Sequence, residues 1–209
     1  MIFRLDERML FPDPELAEDD GLLAVGGDLS TDRLLLAYQN GIFPWYSEDE
    51  PILWFSPHER FVLYPAELKI SKSMRRVLSS GMFTVTADQS FEDVIAACSQ
   101  MERRGQDGTW ITADMQAAYI ELHQKGYAHS VEVWQDDNLV GGLYGVQVGK
   151  VFCGESMFSH VSNASKTALI YLCNTGVFSL IDCQVYTDHL ASMGARMISR
   201  EEYVGEIRG

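Results

Sequence analysis

The sequence predicts an α+β protein whose central sheet is mostly antiparallel. Three strand-like runs, "HSVEVWQ", "NLVGGLYGVQVG" and "KVFCGESMF", follow one another through very short joints. Such joints are typical of an antiparallel meander. Helix-like segments precede the meander, and a further helix and strand follow it, which is the order of elements in an α+β fold.

The length and composition allow a substantial core. The chain has 209 residues, of which 46% are hydrophobic and 22% charged, values that are ordinary for a globular protein. Pro51, Pro57 and Pro65 punctuate one region of the chain. We therefore expect a small N-terminal domain over residues 1–60 and a larger domain over residues 61–209.

Capping residues and periodic apolar positions indicate the individual helices and strands. The expected helices are "STDRLLLAYQNG", opened by Ser30 and ended by Gly41, then "SKSMRRVLSSG", "SFEDVIAACSQ", "TADMQAAYIELHQKG", "SNASKTALIYLCNTG" and "SREEYVGEIRG". "FTVTAD" and "SLIDCQV" read as strands, and "PILWFSPHERFVLYP" reads as extended or irregular chain.

Charge and cysteine usage limit the class of protein. The formal net charge of -14 argues against a surface that coats nucleic acid in general, although a local basic patch is still compatible with it. The apolar runs are shorter than the roughly 20 residues that cross a bilayer, so we expect no membrane association. Four widely spaced cysteines without a C-x-x-C pair suggest reduced thiols and a cytoplasmic location.

Glu155 stands among the apolar residues of "VFCGESMF". A buried carboxylate is unfavourable unless it is paired or hydrogen-bonded, so such a residue often has a structural or chemical use. The alternative is a charge on a solvated strand face. Phe152 and Met157 can line one pocket only if the strand is bent or bulged near Gly154.

Asp182 and Gln184 lie two residues apart in "SLIDCQV" and therefore share a face of a regular strand. They are either the polar face of an edge strand or a carboxylate and an amide directed into a cleft. Neither this pair nor Glu155 is a specific motif by itself.

Two tryptophans and one basic helix suggest a nucleotide site. Trp45 and Trp110 lie next to turns, where they could cover the edge of a core or form a platform for an unpaired base. Lys72, Arg75 and Arg76 share one face of a helix, where they could contact phosphates or form an ordinary solvated surface.

Two further pairs could support acid–base or nucleophilic chemistry. Cys153 near His160 could form a thiol–imidazole pair, although a core thiol is the stronger interpretation. Asp188 next to His189 could act together, although a helix-capping Asp followed by a surface His is favoured.

The motifs taken together resemble the bacterial leucyl/phenylalanyl-tRNA-protein transferases. "LLAVGGDLS", "GIFPWYS", "ILWFSP", "GTWIT", "AHSVEVW", "LVGGLYG", "FCGESMFS", "NASKTAL" and "LIDCQ" stand in the order expected for that family. The resemblance covers about residues 20 to 200. It implies a larger domain of the acetyltransferase (GNAT) type after a small N-terminal domain.

The resemblance also implies an activity and a set of site residues. Such enzymes move leucine or phenylalanine, and methionine less well, from aminoacyl-tRNA to an N-terminal arginine or lysine, which marks the acceptor protein for degradation by the N-end rule. Trp45 and Trp110 would hold the terminal adenosine, and Lys72, Arg75 and Arg76 the tRNA. Glu155, Asp182 and Gln184 would surround the reacting groups. The amino-acid pocket would be lined by Leu143, Phe152, Met157, Leu169, Leu172 and Ile181.

An aminoacyl ester is already activated, so the reaction needs alignment and the removal of one proton, without a cofactor or metal. Our hypothesis from the sequence is that Asp182, oriented through Gln184, helps to deprotonate the attacking amine while Glu155 positions the substrates. We expect a monomer, because no heptad pattern or broad apolar helix face is left unassigned.

Two other classes of function are compatible with parts of the sequence. An acyl-CoA N-acyltransferase should have a glycine-rich turn after the meander, but the sequence there is "FSHVSNASK". A noncatalytic RNA-binding module would explain the tryptophans and Lys72, but it would leave Asp182, Gln184 and Glu155 without a role.

Overall fold

The computed structural model describes residues 2–101 and 110–209. Its strands are β1 (Phe3–Leu5), β2 (Leu22–Gly26), β3 (Phe43–Pro44), β4 (Leu53–Phe55), β5 (Glu59–Leu63), β6 (Thr84–Ala87), β7 (Ala128–Gln135), β8 (Asn138–Val148), β9 (Val151–Ser159), β10 (Leu180–Gln184) and β11 (Arg196–Ser199). Its α-helices are α1 (Thr31–Gln39), α2 (Lys72–Ser79), α3 (Phe91–Ser99), α4 (Ala113–Gln124), α5 (Ala164–Asn174), α6 (Asp188–Ser192) and α7 (Arg200–Arg208). Short 3-10 helices cover Pro14–Leu16 and Pro65–Glu67.

The strands form two sheets. The small sheet has the order β1-β2-β4-β3, and the large sheet has the order β11-β5-β10-β9-β8-β7-β6. Within the large sheet, β9 and β10 pair in parallel and the other neighbours pair antiparallel. The predicted α+β class with a mostly antiparallel central sheet is confirmed.

The meander β7-β8-β9 is confirmed together with its short joints. Asp136 and Asp137 connect β7 to β8 with positive φ angles of 48° and 62°, the conformation that a two-residue hairpin turn requires. Gly149 and Lys150 connect β8 to β9. Because these joints are so short, each strand pairs with the next one along the chain.

Helices cover both faces of the large sheet. On β5, Val62 packs into one apolar cluster, which includes residues of α1, α3, α4 and α7. Phe61 and Leu63 pack into the other cluster, which includes residues of α2, α5 and α6. This alternation places the core in two layers, one on each side of the sheet.

The sequence predicted the longer helices well and the short elements poorly. The six expected helices correspond to α1–α5 and α7, and Ser30 and Ser90 occupy their expected N-cap positions. Strands β1–β5, strand β11 and helix α6 were not predicted as such. The boundary near residue 60 stays a prediction, since β5 extends across it.

Candidate active site

A cavity of about 610 Å³ opens where β9 and β10 separate. The two strands pair only over Val151–Cys153 and Leu180–Asp182, after which β9 continues to Ser159 and β10 ends at Gln184. A Cβ atom at position 154 would lie 3.0 Å from the carbonyl oxygen of Asp182, so Gly154 allows the strands to approach closely just before they part.

The cavity brings together side chains that are far apart in the sequence. Eleven of the predicted site residues line it, namely Trp45, Trp110, Leu143, Phe152, Glu155, Met157, Leu169, Leu172, Ile181, Asp182 and Gln184. Further lining comes from Phe43, Pro44, Tyr144, Gly154, Ser156, Cys183, Val185, Thr187, His189 and Leu190. The lining is therefore mainly apolar, with a carboxylate pair and an amide among the apolar side chains.

A β-bulge explains how Phe152 and Met157 both reach the cavity. Gly145 of β8 pairs with Gly154, and the preceding Tyr144 pairs with Ser156, so Glu155 is an extra residue in β9. The extra residue reverses the alternation of side chains beyond it. The bend expected near Gly154 is thus confirmed, and Glu155 lies at its centre.

Glu155 is buried and hydrogen-bonded through both of its carboxylate oxygens. Its Oε1 accepts bonds from the Tyr38 hydroxyl at 2.7 Å and from the Gln184 side-chain amide at 2.9 Å, and its Oε2 accepts one from the Tyr119 hydroxyl at 3.1 Å. Burial raises the pKa of Glu155 to about 7, although the hydrogen bonds from the two tyrosines and Gln184 act in the opposite direction. The carboxyl group can therefore accept or release a proton near neutral pH. The alternative interpretation of Glu155, a charge on a solvated strand face, is wrong.

Asp182 forms a buried ion pair with Arg60. Its Oδ2 accepts a hydrogen bond from the Arg60 guanidinium, and both side chains are almost completely inaccessible to solvent. Arg60 also donates to the carbonyl oxygen of Gly41 at 3.1 Å and lies over the rings of Phe43 and Tyr203. Because β10 lies between β5 and β9, the interpretation of Asp182 as part of an edge strand is wrong.

Gln184 has an unusual backbone conformation that directs its side chain. Its φ angle is 58°, and the pairing of β10 with β5 shifts register between Asp182 and Gln184. The backbone N–H of Gln184 donates to Oδ1 of Asp182 at 2.8 Å, while its side chain donates to Glu155. Asp182 and Gln184 therefore reach the same cavity through an irregular end of β10, and not because they share one face of a regular strand.

The two tryptophans lie on the cavity wall with different exposure. Trp45 is 39% exposed and its ring is tilted against that of Phe55, with 6.0 Å between the ring centroids. Trp110 is buried, with 8% exposure. Trp45 thus offers an accessible aromatic face at the opening, whereas Trp110 is mostly covered.

Comparison with known proteins identifies the family. The family model described as leucyl/phenylalanyl-tRNA protein transferase matches residues 62–208, and the model of the N-terminal domain of that family matches residues 27–58. A leucyl/phenylalanyl-tRNA–protein transferase of Syntrophobacter fumaroxidans is 59% identical over 97% of this chain and 88% of its own length. This chain belongs to the leucyl/phenylalanyl-tRNA–protein transferase family. Relatives with the same name from Syntrophus aciditrophicus and Flavobacterium johnsoniae are 58% and 53% identical.

A solved structure resembles this chain in fold. The crystal structure of FemX matches with 10% sequence identity and a TM-score of 0.52, over 81% of this chain and 66% of that chain. At this identity the likeness concerns the fold alone. The α+β class expected from the sequence pattern, with the GNAT-like fold that the family resemblance implied, is the class of this structure.

The basic residues of α2 lie outside the cavity lining. Lys72, Arg75 and Arg76 are all exposed on α2, whose N-cap Ser71 accepts a hydrogen bond from the backbone N–H of Met74. Met74 packs into the same apolar cluster as the pocket residues Leu169 and Phe152. The helix is therefore joined to the pocket side of the sheet through its apolar face, and its cationic face is open to solvent.

Two alternatives considered from the sequence receive no support. Sγ of Cys153 contacts the Tyr203 hydroxyl at 3.3 Å, and burial raises the pKa of the thiol well above its ordinary value, which is unfavourable for a nucleophile. Asp188 accepts a hydrogen bond from the Tyr186 hydroxyl, and the N-cap of α6 is Thr187, so the expectation of Asp188 as the cap is wrong.

Three residues of this site, Arg60, Tyr38 and Tyr119, were not predicted from the sequence, and a fourth, His189, was expected on the surface. The first three contact Asp182 or Glu155 directly, and His189 lines the cavity instead of lying on the outer surface. Burial and the nearby Lys166 lower the pKa of His189. The only sequence signal was that Tyr38 and Tyr119 each lie on an expected helix.

Proposed function

We propose that this protein transfers leucine or phenylalanine from aminoacyl-tRNA to the N-terminal arginine or lysine of an acceptor protein. Methionine would be transferred less well, the reaction would take place in the cytoplasm, and the modified protein would be marked for degradation. The observation that carries the proposal is the placement of Glu155 and Gln184 in one mainly apolar cavity with Trp45 at its opening. Relatives that are 59% and 58% identical to the chain are named leucyl/phenylalanyl-tRNA–protein transferases, which supports the transfer from tRNA to protein.

The cavity suits an aminoacylated 3′ end. The exposed face of Trp45, together with Trp110, would stack on the terminal adenine, an interaction of roughly 1–3 kcal/mol per base. Leu143, Phe152, Met157, Leu169, Leu172 and Ile181 would surround the amino-acid side chain. An apolar pocket of this kind selects by size and shape, where one methylene changes binding by only about 1–3 kcal/mol, which explains some transfer of methionine.

Lys72, Arg75 and Arg76 would contact phosphates of the acceptor stem. Their cationic face is short compared with the net charge of -14, so we expect the protein to hold the acceptor end and not the whole tRNA. The remaining acidic surface would favour approach of a cationic N-terminus.

The reaction itself joins the α-amine of the acceptor to the carbonyl carbon of the aminoacyl ester. The nitrogen–carbon bond forms, and the ester bond breaks with its electron pair passing to the ribose oxygen, which takes up a proton and becomes a hydroxyl of the released tRNA. The amine loses one proton. We propose that the carboxylate of Glu155 accepts that proton, because its pKa near 7 matches the working pH of such a base. The side-chain carbonyl oxygen of Gln184 would accept a hydrogen bond from the same amine, since its amide nitrogen is already bonded to Glu155.

Asp182 has a different role in this proposal from the one inferred from the sequence. One of its oxygens is bonded to Arg60 and the other to the backbone N–H of Gln184, and the Asp182 side chain is fully buried, so we assign it no direct contact with the amine. Asp182 would instead hold Gln184 in its unusual conformation. Arg60 would hold the Asp182 side chain in place through the buried ion pair.

The proposal is tested by incubating the protein with radiolabelled Leu-tRNA and a peptide that begins with arginine. We expect label in the peptide, none when the peptide is N-acetylated, and little with Glu155→Gln. Parallel reactions with an acyl-CoA and the same peptide test the acyltransferase alternative. Binding of Leu-tRNA without labelled peptide would support an RNA-binding module and overturn the proposed transfer.

A further inference from the structure

Besides Gln184, two tyrosines that do not line the cavity, Tyr38 and Tyr119, donate hydrogen bonds to Glu155. Tyr38 is the penultimate residue of α1, and Tyr119 lies within α4. Both are fully buried, and their hydroxyls contact each other as well as the two oxygens of Glu155. Apolar packing alone requires no hydroxyl groups, and a buried hydroxyl without a hydrogen-bond partner is unfavourable. The two hydroxyls therefore indicate that the tyrosines do more than fill space beside the carboxylate.

We propose that Tyr38 and Tyr119 are positioning residues that orient Glu155 and keep it charged at the pH at which the enzyme works. This inference rests on the proposed function, because it concerns the base of that reaction. The tyrosines come from two different helices, α1 on the N-terminal side and α4 within the larger part of the chain, and they meet at one carboxylate. Docking of α1 against α4 is thereby linked to the state of the catalytic base.

The groups around Glu155 explain why two donors are needed. Burial raises the pKa of Glu155 most, and the nearby charge of Asp182 raises it further, although Arg60 offsets part of that charge. On its own strand, Cys153 has a raised pKa through burial and is therefore neutral. The hydrogen bonds from Tyr38, Tyr119 and Gln184 lower the pKa of Glu155.

Burial raises the pKa of each tyrosine well above its ordinary value, and Glu155 raises both further, so both hydroxyls remain donors across the working pH range. They are thus dependable donors to the ionised carboxylate. Removing one of these hydroxyls should make Glu155 harder to ionise.

The main test is the dependence of kcat/KM on pH for Tyr38→Phe and Tyr119→Phe, measured between pH 5.5 and 8.5 with one Leu-tRNA and one acceptor peptide. The amine of the peptide titrates identically in each assay, so differences belong to the protein. We expect the acidic limb of each profile to move up by about one pH unit, a tenfold loss of rate at low pH, with most of the rate retained at high pH.

The matched control is Tyr64→Phe. The Tyr64 hydroxyl donates a hydrogen bond to Glu206 over 3.2 Å, and Tyr64 does not line the cavity. The profile of Tyr64→Phe should coincide with that of the unmodified protein. If Tyr38→Phe or Tyr119→Phe instead lowers the rate equally at every pH, the tyrosine has only a packing role and the proposal is overturned.

A second measurement does not depend on activity. The protonation of Glu155 is followed through the ¹³C NMR signal of its carboxyl carbon in the protein without substrates. That signal is assigned by its disappearance in Glu155→Gln. The midpoint should rise in both phenylalanine variants and fall when 3-fluorotyrosine, a stronger donor of nearly the same size, replaces Tyr38. An unchanged midpoint would refute the positioning role even if transfer is observed, whereas the expected shifts without any transfer would refute only the proposed function.

Discussion

The backbone N–H of Gln184 donates to Oδ1 of Asp182 at 2.8 Å, which joins a buried ion pair to the amide that faces Glu155. Asp182 is in turn bonded to Arg60, so one chain of contacts leads from β5 through the end of β10 to the bulge in β9. Each contact in this chain fixes the next one. The structure thus prepares the orientation of Gln184 before any substrate binds.

Substitution of Gln184 should separate backbone strain from chemistry. The φ angle of 58° disfavours a residue with a Cβ atom, so Gln184→Gly should be more stable than Gln184→Ala by about 1 kcal/mol. Both variants lack the side-chain amide and should lose most of the transfer activity. Urea unfolding measures the first effect and single-turnover transfer the second. A fully active alanine variant would remove Gln184 from the reaction.

Asp182→Asn should lower the transfer rate far more than it weakens the binding of Leu-tRNA. Loss of the charge leaves Arg60 buried without its partner, and breaking a buried pair in this way destabilises a protein by about 3–5 kcal/mol. Filter binding, single-turnover kinetics and urea unfolding are measured on the same preparation at a temperature where the variant is folded.

The double variant Arg60→Met/Asp182→Asn is the matched control for that experiment. It removes the unpaired charge and should recover part of the stability but none of the activity, because Gln184 is still not held by a charged Asp182. Equal transfer rates for Asp182→Asn and the unmodified protein would contradict the role assigned to Asp182.

The sequence predicted those parts of the fold that are encoded locally. The caps and apolar periods of α1–α5 and the short turns of the meander depend on neighbouring residues, and these elements are where they were expected. Strand β3 has only two residues and exists through its pairing with β4, so no local pattern could reveal it. The same holds for β1, whose partner lies about twenty residues further along the chain.

The candidate site likewise has residues that could be predicted from the sequence and contacts that could not. The family resemblance supplied eleven of the residues that line the cavity, but the partners of its carboxylates were not predictable from spacing. Arg60 and Asp182 are 122 residues apart in the sequence, and Tyr38 and Glu155 are 117 apart. Only the folded arrangement shows that the buried charge of Asp182 is compensated and that Glu155 is held by hydroxyls.

The basic face of α2 should determine how tRNA binding responds to salt. Replacing Arg75 and Arg76 by alanine removes two cations that could neutralise phosphates, so the slope of log K against log salt should become shallower by about 0.9 for each phosphate that is no longer neutralised. Binding of Leu-tRNA is measured between 50 and 300 mM salt. Lys150→Ala, which removes an exposed cation at the turn between β8 and β9, should leave the slope unchanged. A slope that does not differ between these variants would place the phosphate-binding residues elsewhere.

The size of the apolar pocket should decide between leucine and phenylalanine. Met157 lines the cavity and is only partly buried, so a larger side chain there would occupy cavity space without disrupting the packed core. Met157→Phe should reduce kcat/KM for Phe-tRNA about tenfold more than for Leu-tRNA, because differences of this kind amount to about 1–3 kcal/mol. Met157→Leu has nearly the original volume and should keep the ratio almost unchanged. Competition between the two labelled aminoacyl-tRNAs in one reaction measures the ratio directly, and an equal reduction with both substrates would exclude Met157 from the side-chain pocket.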